Sequence, residues 1–371
     1  MSLSRIVADI AYSLSSCVGC FASNTLYINN RSYRILRLLG EGGFSYVYLV
    51  EAQNGELFAL KKIRCSFGAE SLQNAMKEIE SYKIFNDEHI INLIDSNVVQ
   101  ERDGSKTVYI LLPYFRKGNL QDVINLNLIK QTHYDEKEAL ELFLEIANGV
   151  RVMHKHRANQ DYQSRLQNPN QDVVFDSEAE LPLIHNTIND SSTLPLSSSP
   201  SSSNQIVAYA HRDIKPANIM ISQTELPVLM DLGSCTKARI SITSRHQALE
   251  LQDVAAEVCT MPYRAPELFD VKTNTTIDEG VDIWSLGCTF FALLYSASPF
   301  ELQTTESGAS LSLAIINGQY KFPDYPKYSQ FTKDIIKSCL TVEPKDRPDI
   351  DFIIERIKVS LNQQVHSAQQ Q

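Results

Sequence analysis

Apolar and polar residues alternate around glycines from Ser32 to Ile63. The run YRILRLLGEGGFSYVYLVEAQNGELFALKKI predicts a strand, a glycine-rich turn, a second strand, a turn at Asn54–Gly55 and a third strand. The period then changes. Leu72, Ala75, Met76, Ile79, Tyr82 and Phe85 recur at helical spacing between Ser71 and Phe85. Two more strands are expected at Ile90–Val99 and Thr107–Leu112. Beyond Pro113 the signal is helical. Asp135 to His154 carries a broad apolar stripe of Ala139, Leu140, Leu142, Phe143, Ile146, Ala147, Val150 and Met153. A second strongly apolar helix is expected over Val281–Tyr295, and helical signals run on to Leu361. The pattern is α+β: a small antiparallel-sheet lobe with one helix, then a large, mainly helical lobe.

Periodicity fails in two places. From Arg157 to about Ser203 the chain is polar and ends in SSTLPLSSSPSSSNQ, a composition that buries too little apolar surface to offset its ordering entropy. The Gln-rich end, NQQVHSAQQQ, reads as a frayed tail. The expected organisation is an arm at 1–30, a small lobe at 31–115, a large lobe at 116–358 interrupted by a Ser-rich insert at 157–205, and a tail at 359–371.

Composition narrows the function. The 371 residues suffice for one two-lobed domain or two smaller ones. A net charge of -10 argues against nucleic acid as the partner. The seven cysteines are odd in number, and five are scattered (Cys65, Cys235, Cys259, Cys288 and Cys339), the pattern of reduced thiols rather than a disulfide framework. No run of about 20 apolar residues predicts a spanning helix. The remaining pair, in SSCVGCFAS, places Cys17 and Cys20 two residues apart. A zinc half-site, a redox pair, a lipid attachment point and a plain disordered arm are its four readings.

Candidate chemistry is spread along the chain. In LGEGGFSYVYLVE, Gly40 and Gly42 are spaced as the first two glycines of a phosphate-covering loop, with Ser45 at the third position. A plain hairpin turn reads equally well. On the next strand, FALKK places Lys61 within reach of phosphates, and Glu78, if its helix face packs inward, needs a cation such as Lys61. The run YAHRDIKPANIMI holds His211, Arg212, Asp213, Lys215 and Asn218 between two strand-like stretches. An aspartate to accept a hydroxyl proton, a lysine beside the transferred phosphoryl and an asparagine on a metal ion are what phosphoryl transfer requires. VLMDLGS supplies Asp231 as a second metal ligand. YRAPELF, VDIWSLGCTFFALLY and EPKDRPD follow.

This ordered set resembles the eukaryotic protein kinase family over about residues 31–358. Within it, GEGGFSYVYLVE, PVLMDLGS, RHQALELQD and CTMPYRAPELF are most similar to the Numb-associated kinase group, above all its small palmitoylated member and fungal vacuolar-membrane relatives. The resemblance implies ATP and Mg²⁺ as cofactors and protein serine or threonine hydroxyls as substrates. Asp213 matches the catalytic base and Lys215 the lysine kept by serine/threonine kinases. Asn218 and Asp231 match the metal ligands, and Lys61 and Glu78 the strand–helix ion pair. Leu39, Gly40, Glu41, Gly42, Gly43, Phe44, Ser45, Tyr46 and Val47 match the nucleotide-covering loop. Ala59 and Leu112 match the adenine pocket, and Pro113–Phe115 the hinge, with Phe115 facing the nucleotide. Glu267, Arg347 and Asp282 match scaffolding. Arg212 matches the arginine that can pair with a phosphorylated activation segment; Ser234, Thr236, Ser241, Thr243, Ser244 and Thr260 are the candidate acceptors there. The pattern departs at Ser45 and at Leu232, which stands where phenylalanine is usual. An inactive kinase-shaped scaffold and a lipid or small-molecule kinase are the competing readings; the intact Lys61, Asp213, Asn218 and Asp231 disfavour the first, YRAPE and Lys215 the second.

The same resemblance favours S-palmitoylation of Cys17, Cys20 or both. Residue 2 is serine, which excludes N-myristoylation, so one acyl chain alone would anchor the chain only marginally. It further implies work at the cytoplasmic face of an internal membrane, the vacuole first and the Golgi or endosome as alternative, with a cytosolic pool. The sequence sets no oligomeric state.

Overall fold

The computed structural model describes residues 25–42, 45–65, 69–157 and 206–369. Gly43, Phe44, Cys17, Cys20 and nearly all of the insert lie outside the described residues.

Strands β1 (Thr25–Ile28), β2 (Arg31–Gly42), β3 (Ser45–Ala52), β4 (Leu57–Cys65), β5 (Asp95–Gln100) and β6 (Lys106–Pro113) form one antiparallel sheet in the order β1-β2-β3-β4-β6-β5. The β3–β4 turn falls at the expected Asn54–Gly55, where Gly55 takes the left-handed backbone (φ +83°) that side chains resist. Strand β6 is a continuous apolar run because both its faces are covered. Val108, Ile110 and Leu112 pack with Ala75, Ile79 and Tyr82 of helix α1 (Ala69–Ile84), while Tyr109 and Leu111 join Ile28, Tyr33, Val50 and Leu60 on the other face.

The sheet begins earlier than the expected boundary at residue 31. Thr25–Ile28, read as part of the arm, pair in register with Arg34–Arg31 and bury Ile28. The Asn29 side chain donates to Asp95 Oδ1 at 2.8 Å and so ties the β1–β2 turn to β5. The strand expected at Ile90–Val99 starts instead at Asp95. Ile90 and Ile91 are apolar for another reason: they join the lobes, with the Ile91 N–H donating to the Leu229 carbonyl at 2.9 Å.

The large lobe is built on α2 (Leu120–Lys130), α3 (Glu136–His154) and α5 (Gly280–Tyr295), with α6 (Pro299–Ser307), α7 (Leu311–Ile316), α8 (Gln330–Cys339) and α9 (Ile350–Gln369) around them. Asp135 caps α3 by accepting from the Lys137 N–H. Every residue from Val281 to Tyr295 is buried, and Phe290 stacks on Phe143 of α3. Helix α8 approaches α5 at Gly287, where an added Cβ would stand 2.6 Å from the Cys339 Cβ. The last helix continues to Gln369, through the stretch that reads as a tail. Small antiparallel pairs complete the lobe: β7 (Tyr209–Ala210) with β10 (Thr236–Lys237), β8 (Ile219–Ile221) with β9 (Pro227–Leu229), and β11 (Ile240–Ile242) with β12 (Thr275–Ile277). Helix α4 (Arg245–Val258) was not apparent from periodicity; Ser244 caps it, and Ala248, Leu251 and Ala255 hold it to the core. No single helix among the described residues is long and apolar enough to cross a membrane.

Candidate active site

The site lies where the two lobes meet. The hairpin β8–β9 places a loop on either side: residues 211–218 before it and Asp231 after it. From the small lobe, β4 and α1 bring Lys61 and Glu78 to the same place. Lys61 Nζ donates to Glu78 Oε1 at 2.6 Å and to Asp231 Oδ1 at 3.0 Å, so one ammonium joins sheet, helix and large lobe. Glu78 is buried, as the inward-facing helix requires, and accepts a further bond from the Tyr82 hydroxyl at 3.0 Å. Burial alone would lower the lysine pKa. The Asp231 and Glu78 carboxylates outweigh it and hold Lys61 well above its ordinary value. Burial likewise pushes Asp231 up, but Lys61 beside it prevails and keeps it below the usual carboxylate range.

Asp213 stands at the centre of the other half. Its Oδ2 accepts from Lys215 Nζ at 2.7 Å and from Asn218 Nδ2 at 2.9 Å; its Oδ1 accepts the Thr260 N–H at 2.9 Å. Asn218 Nδ2 also donates to the Asp213 carbonyl at 2.9 Å, so the atom it can offer a cation is Oδ1. Lys215 donates a second bond, to Thr260 Oγ1 at 2.6 Å. Thr260 stands among the candidate acceptors in the sequence; the structure makes it a direct partner of both Asp213 and Lys215. Nothing in its local sequence distinguishes it from the neighbouring hydroxyls, because the contact spans 47 residues.

The loop is held from below. Arg212 adopts a left-handed backbone (φ +67°), a conformation costly for a residue with a Cβ. Asp282, fully buried on α5, compensates by accepting the His211 and Arg212 N–H groups at 2.7 and 2.8 Å. Burial would raise the Asp282 pKa, but His154, His211 and the Arg212 N–H bond lower it on balance. His211 is itself buried and donates from Nε2 to the Met230 carbonyl at 2.9 Å. His211 thus serves the loop by packing and hydrogen bonding. Arg212 is only 6% exposed, and its Nε and one terminal nitrogen have no hydrogen-bond partner among the described residues.

Of the remaining expected residues, Ala59 and Leu112 stand opposite each other across β4 and β6, with Leu39 and Val47 on β2 and β3. Phe115 packs against the main core. Gly42 and Ser45 pair across the loop that contains Gly43 and Phe44, and Glu41 pairs with Tyr46. Leu232 is fully buried, so the leucine after Asp231 keeps that position apolar. Arg347 holds Glu267 through two bonds at 2.8 and 3.0 Å, away from the reacting groups.

The comparisons with known proteins agree with this geometry. The protein kinase domain family model matches residues 33–159 and 204–357. The chain is 43% identical over 366 residues to serine/threonine-protein kinase ENV7 of Saccharomyces cerevisiae, covering 95% of this chain and 98% of that one. It is 39% identical to serine/threonine-protein kinase ppk13 of Schizosaccharomyces pombe, over 92% and 94% of the two chains. Serine/threonine-protein kinase 16 of Homo sapiens is 32% identical, over 90% and 92%. The family implies ATP and a divalent cation. The chain belongs to the protein kinase family and is a serine/threonine protein kinase.

Proposed function

We propose that this kinase works attached to an internal membrane, transferring the γ-phosphate of ATP with Mg²⁺ to protein serine and threonine hydroxyls. The observation that carries the catalytic part is the convergence of Asp213, Lys215, Asn218 and Thr260 opposite Lys61, Glu78 and Asp231. In this reading Asp213 orients the acceptor hydroxyl and takes its proton, and Lys215 steadies charge on the moving phosphoryl. Lys61 holds the phosphates it meets, with Glu78 fixing its position. Leu39, Val47, Ala59, Leu112 and Phe115 enclose the adenine. Gly40 supports the phosphate-covering role of its loop. A Cβ there would meet no protein atom within 4 Å, so internal packing does not demand the glycine.

Mg²⁺ suits the donors at hand. Asp231 offers a carboxylate that is 40% exposed and held ionised by Lys61, and Asn218 offers its amide oxygen. Two hard oxygen donors, completed by phosphate and water, suit this cation, which would neutralise phosphate charge.

The exposed Thr236, Ser241, Thr243 and Ser244 are the proposed autophosphorylation sites. Ser234 and Thr260 are less available, because they are only half-exposed and their hydroxyls bond His211 and Lys215 inside the site. S-acylation of Cys17 and Cys20 supplies the anchor. The resemblance to the small palmitoylated kinases supports placement at the vacuolar membrane, with Golgi or endosome as the alternative and a role in membrane trafficking. The test is fractionation of cells carrying Cys17→Ser/Cys20→Ser. The variant is expected to move to the cytosol while its purified form phosphorylates substrate as before. Unchanged membrane fractionation would rule the anchor out.

A further inference from the structure

One buried hydroxyl stands between the two halves of the phosphate-side site. Ala75, Glu78, Tyr82 and Phe85 recur at intervals of three and four residues, so they share one face of α1, and all four are buried. Phe85 directly follows the helix and packs edge-on against His156 and Tyr209 of the large lobe, which fixes that end of α1. Three residues earlier, Tyr82 is 3% exposed. Its hydroxyl donates to Glu78 Oε1 at 3.0 Å, the same oxygen that accepts from Lys61 Nζ. On its other side the hydroxyl oxygen faces the Leu232 N–H, the amide directly after Asp231. An ionised carboxylate can only accept and an amide N–H can only donate, so these neighbours use both functions of one hydroxyl. Burial, with the Glu78 and Asp231 carboxylates, pushes the phenol pKa well up, so the proton stays on the oxygen.

The Asp231 side needs such a support. Asp231 takes a left-handed backbone (φ +60°), which is costly at a residue with a Cβ and persists only where the surroundings hold it. Leu232–Ser234 then form a single tight helical turn against the Glu78 carboxylate. A Cβ built on Gly233 would stand 3.4 Å from Glu78 Oε2 and 3.6 Å from Asp231 Oδ1. The ring of Tyr82 supplies packing, but a phenylalanine of the same shape could neither donate to Glu78 nor accept from Leu232.

We propose that Tyr82 is a positioning residue for phosphoryl transfer: its hydroxyl ties α1 to the Asp231 turn, so that Glu78, Lys61 and Asp231 take up their working arrangement together. The effect on rate rests on the roles proposed above for Lys61 and Asp231; the tie itself does not. Tyr82→Phe removes the hydroxyl and keeps the ring. Amide hydrogen exchange on the purified full-length chain, without nucleotide, reads the tie. Exchange should quicken by about tenfold in two places together, α1 around Glu78 and residues 231–234, and stay unchanged in α8 and α9. Kinetics read the consequence. The kcat should fall by about tenfold while the KM for a protein acceptor holds, because Asp213, Lys215 and Thr260 keep their bonds to one another. Unchanged exchange at 231–234, exchange quickened equally across the large lobe, an unchanged kcat or a raised acceptor KM would each reduce Tyr82 to core packing and overturn the proposal. Failure of the catalytic roles shows instead as undiminished labelling by Asp213→Asn, whereas failure of the tie shows in the exchange pattern, which needs no turnover.

Discussion

At the scale of single residues, the site depends on charges that cannot be exchanged at equal geometry. Lys61 meets two carboxylates at 2.6 and 3.0 Å, and a guanidinium in its place is planar and larger. Lys61→Arg is therefore expected to lower the phosphorylation rate by about 10²-fold or more, measured on purified protein at saturating ATP. Thr260→Val should remove the Lys215 bond while keeping the backbone bond to Asp213, and slow turnover without altering ATP affinity. Equal turnover, or a changed ATP Kd, would assign Thr260 another role. Most of these residues were legible from the sequence. Asp213, Lys215 and Asn218 sit within six positions, so their spacing alone brings them together, and Glu78 needed only the inward face of one helix. Thr260 and Tyr82 were not legible in these roles. Each acts through a hydroxyl whose partner is chosen by tertiary contact, and many hydroxyls in the chain looked alike.

At the scale of elements, packing sets the tolerances. Gly287 lets α8 lie against α5, where an added Cβ would fall 2.6 Å from the Cys339 Cβ and 3.1 Å from Leu340. Gly287→Ala is expected to destabilise the large lobe by about 1–3 kcal/mol, read as a lower urea midpoint at unchanged slope. An unchanged midpoint would show that α8 shifts freely. The Glu267–Arg347 pair is a second support. The Arg347 side chain is fully buried, and removing its carboxylate partner strands that charge, so Glu267→Ala should cost about 3–5 kcal/mol. Long periodic elements were legible: α3 and α5 begin within a residue of their expected starts. The misreadings have local causes. Thr25–Ile28 is too short to show alternation, and its strand character comes from pairing with β2. Ile90 and Ile91 are apolar because they join the lobes rather than because they form a strand. Helix α4 buries only three of its fourteen residues, which leaves its stripe thin.

At the scale of the whole molecule, the lobes are fastened at His89. Its Nδ1 lies 2.8 Å from Asp87 and its Nε2 2.9 Å from Glu145 on α3, while the Leu229 N–H donates to the His89 carbonyl at 2.8 Å. Burial lowers the imidazole pKa, but the two carboxylates outweigh it and raise it on balance. A raised folded-state value stabilises the protonated form. That stability is fully present below the unfolded value of about 6.5 and is lost as pH rises through the folded value. The Tm should therefore fall across that range in the native chain, and His89→Gln should flatten the slope. A slope unchanged by the substitution would move the effect elsewhere. Two-lobed architecture was legible from the switch between alternating and helical periods, whereas this fastening, built on contacts 56 and more residues apart, was not. The account rests most on Asp213. The measurement that tests it most directly is phosphoryl transfer from labelled ATP to protein by the purified full-length chain with Mg²⁺, compared with Asp213→Asn at equal Tm. Label on serine and threonine is predicted in the native chain, reduced by about 10²–10⁴-fold in the variant; undiminished labelling by the variant would contradict the account.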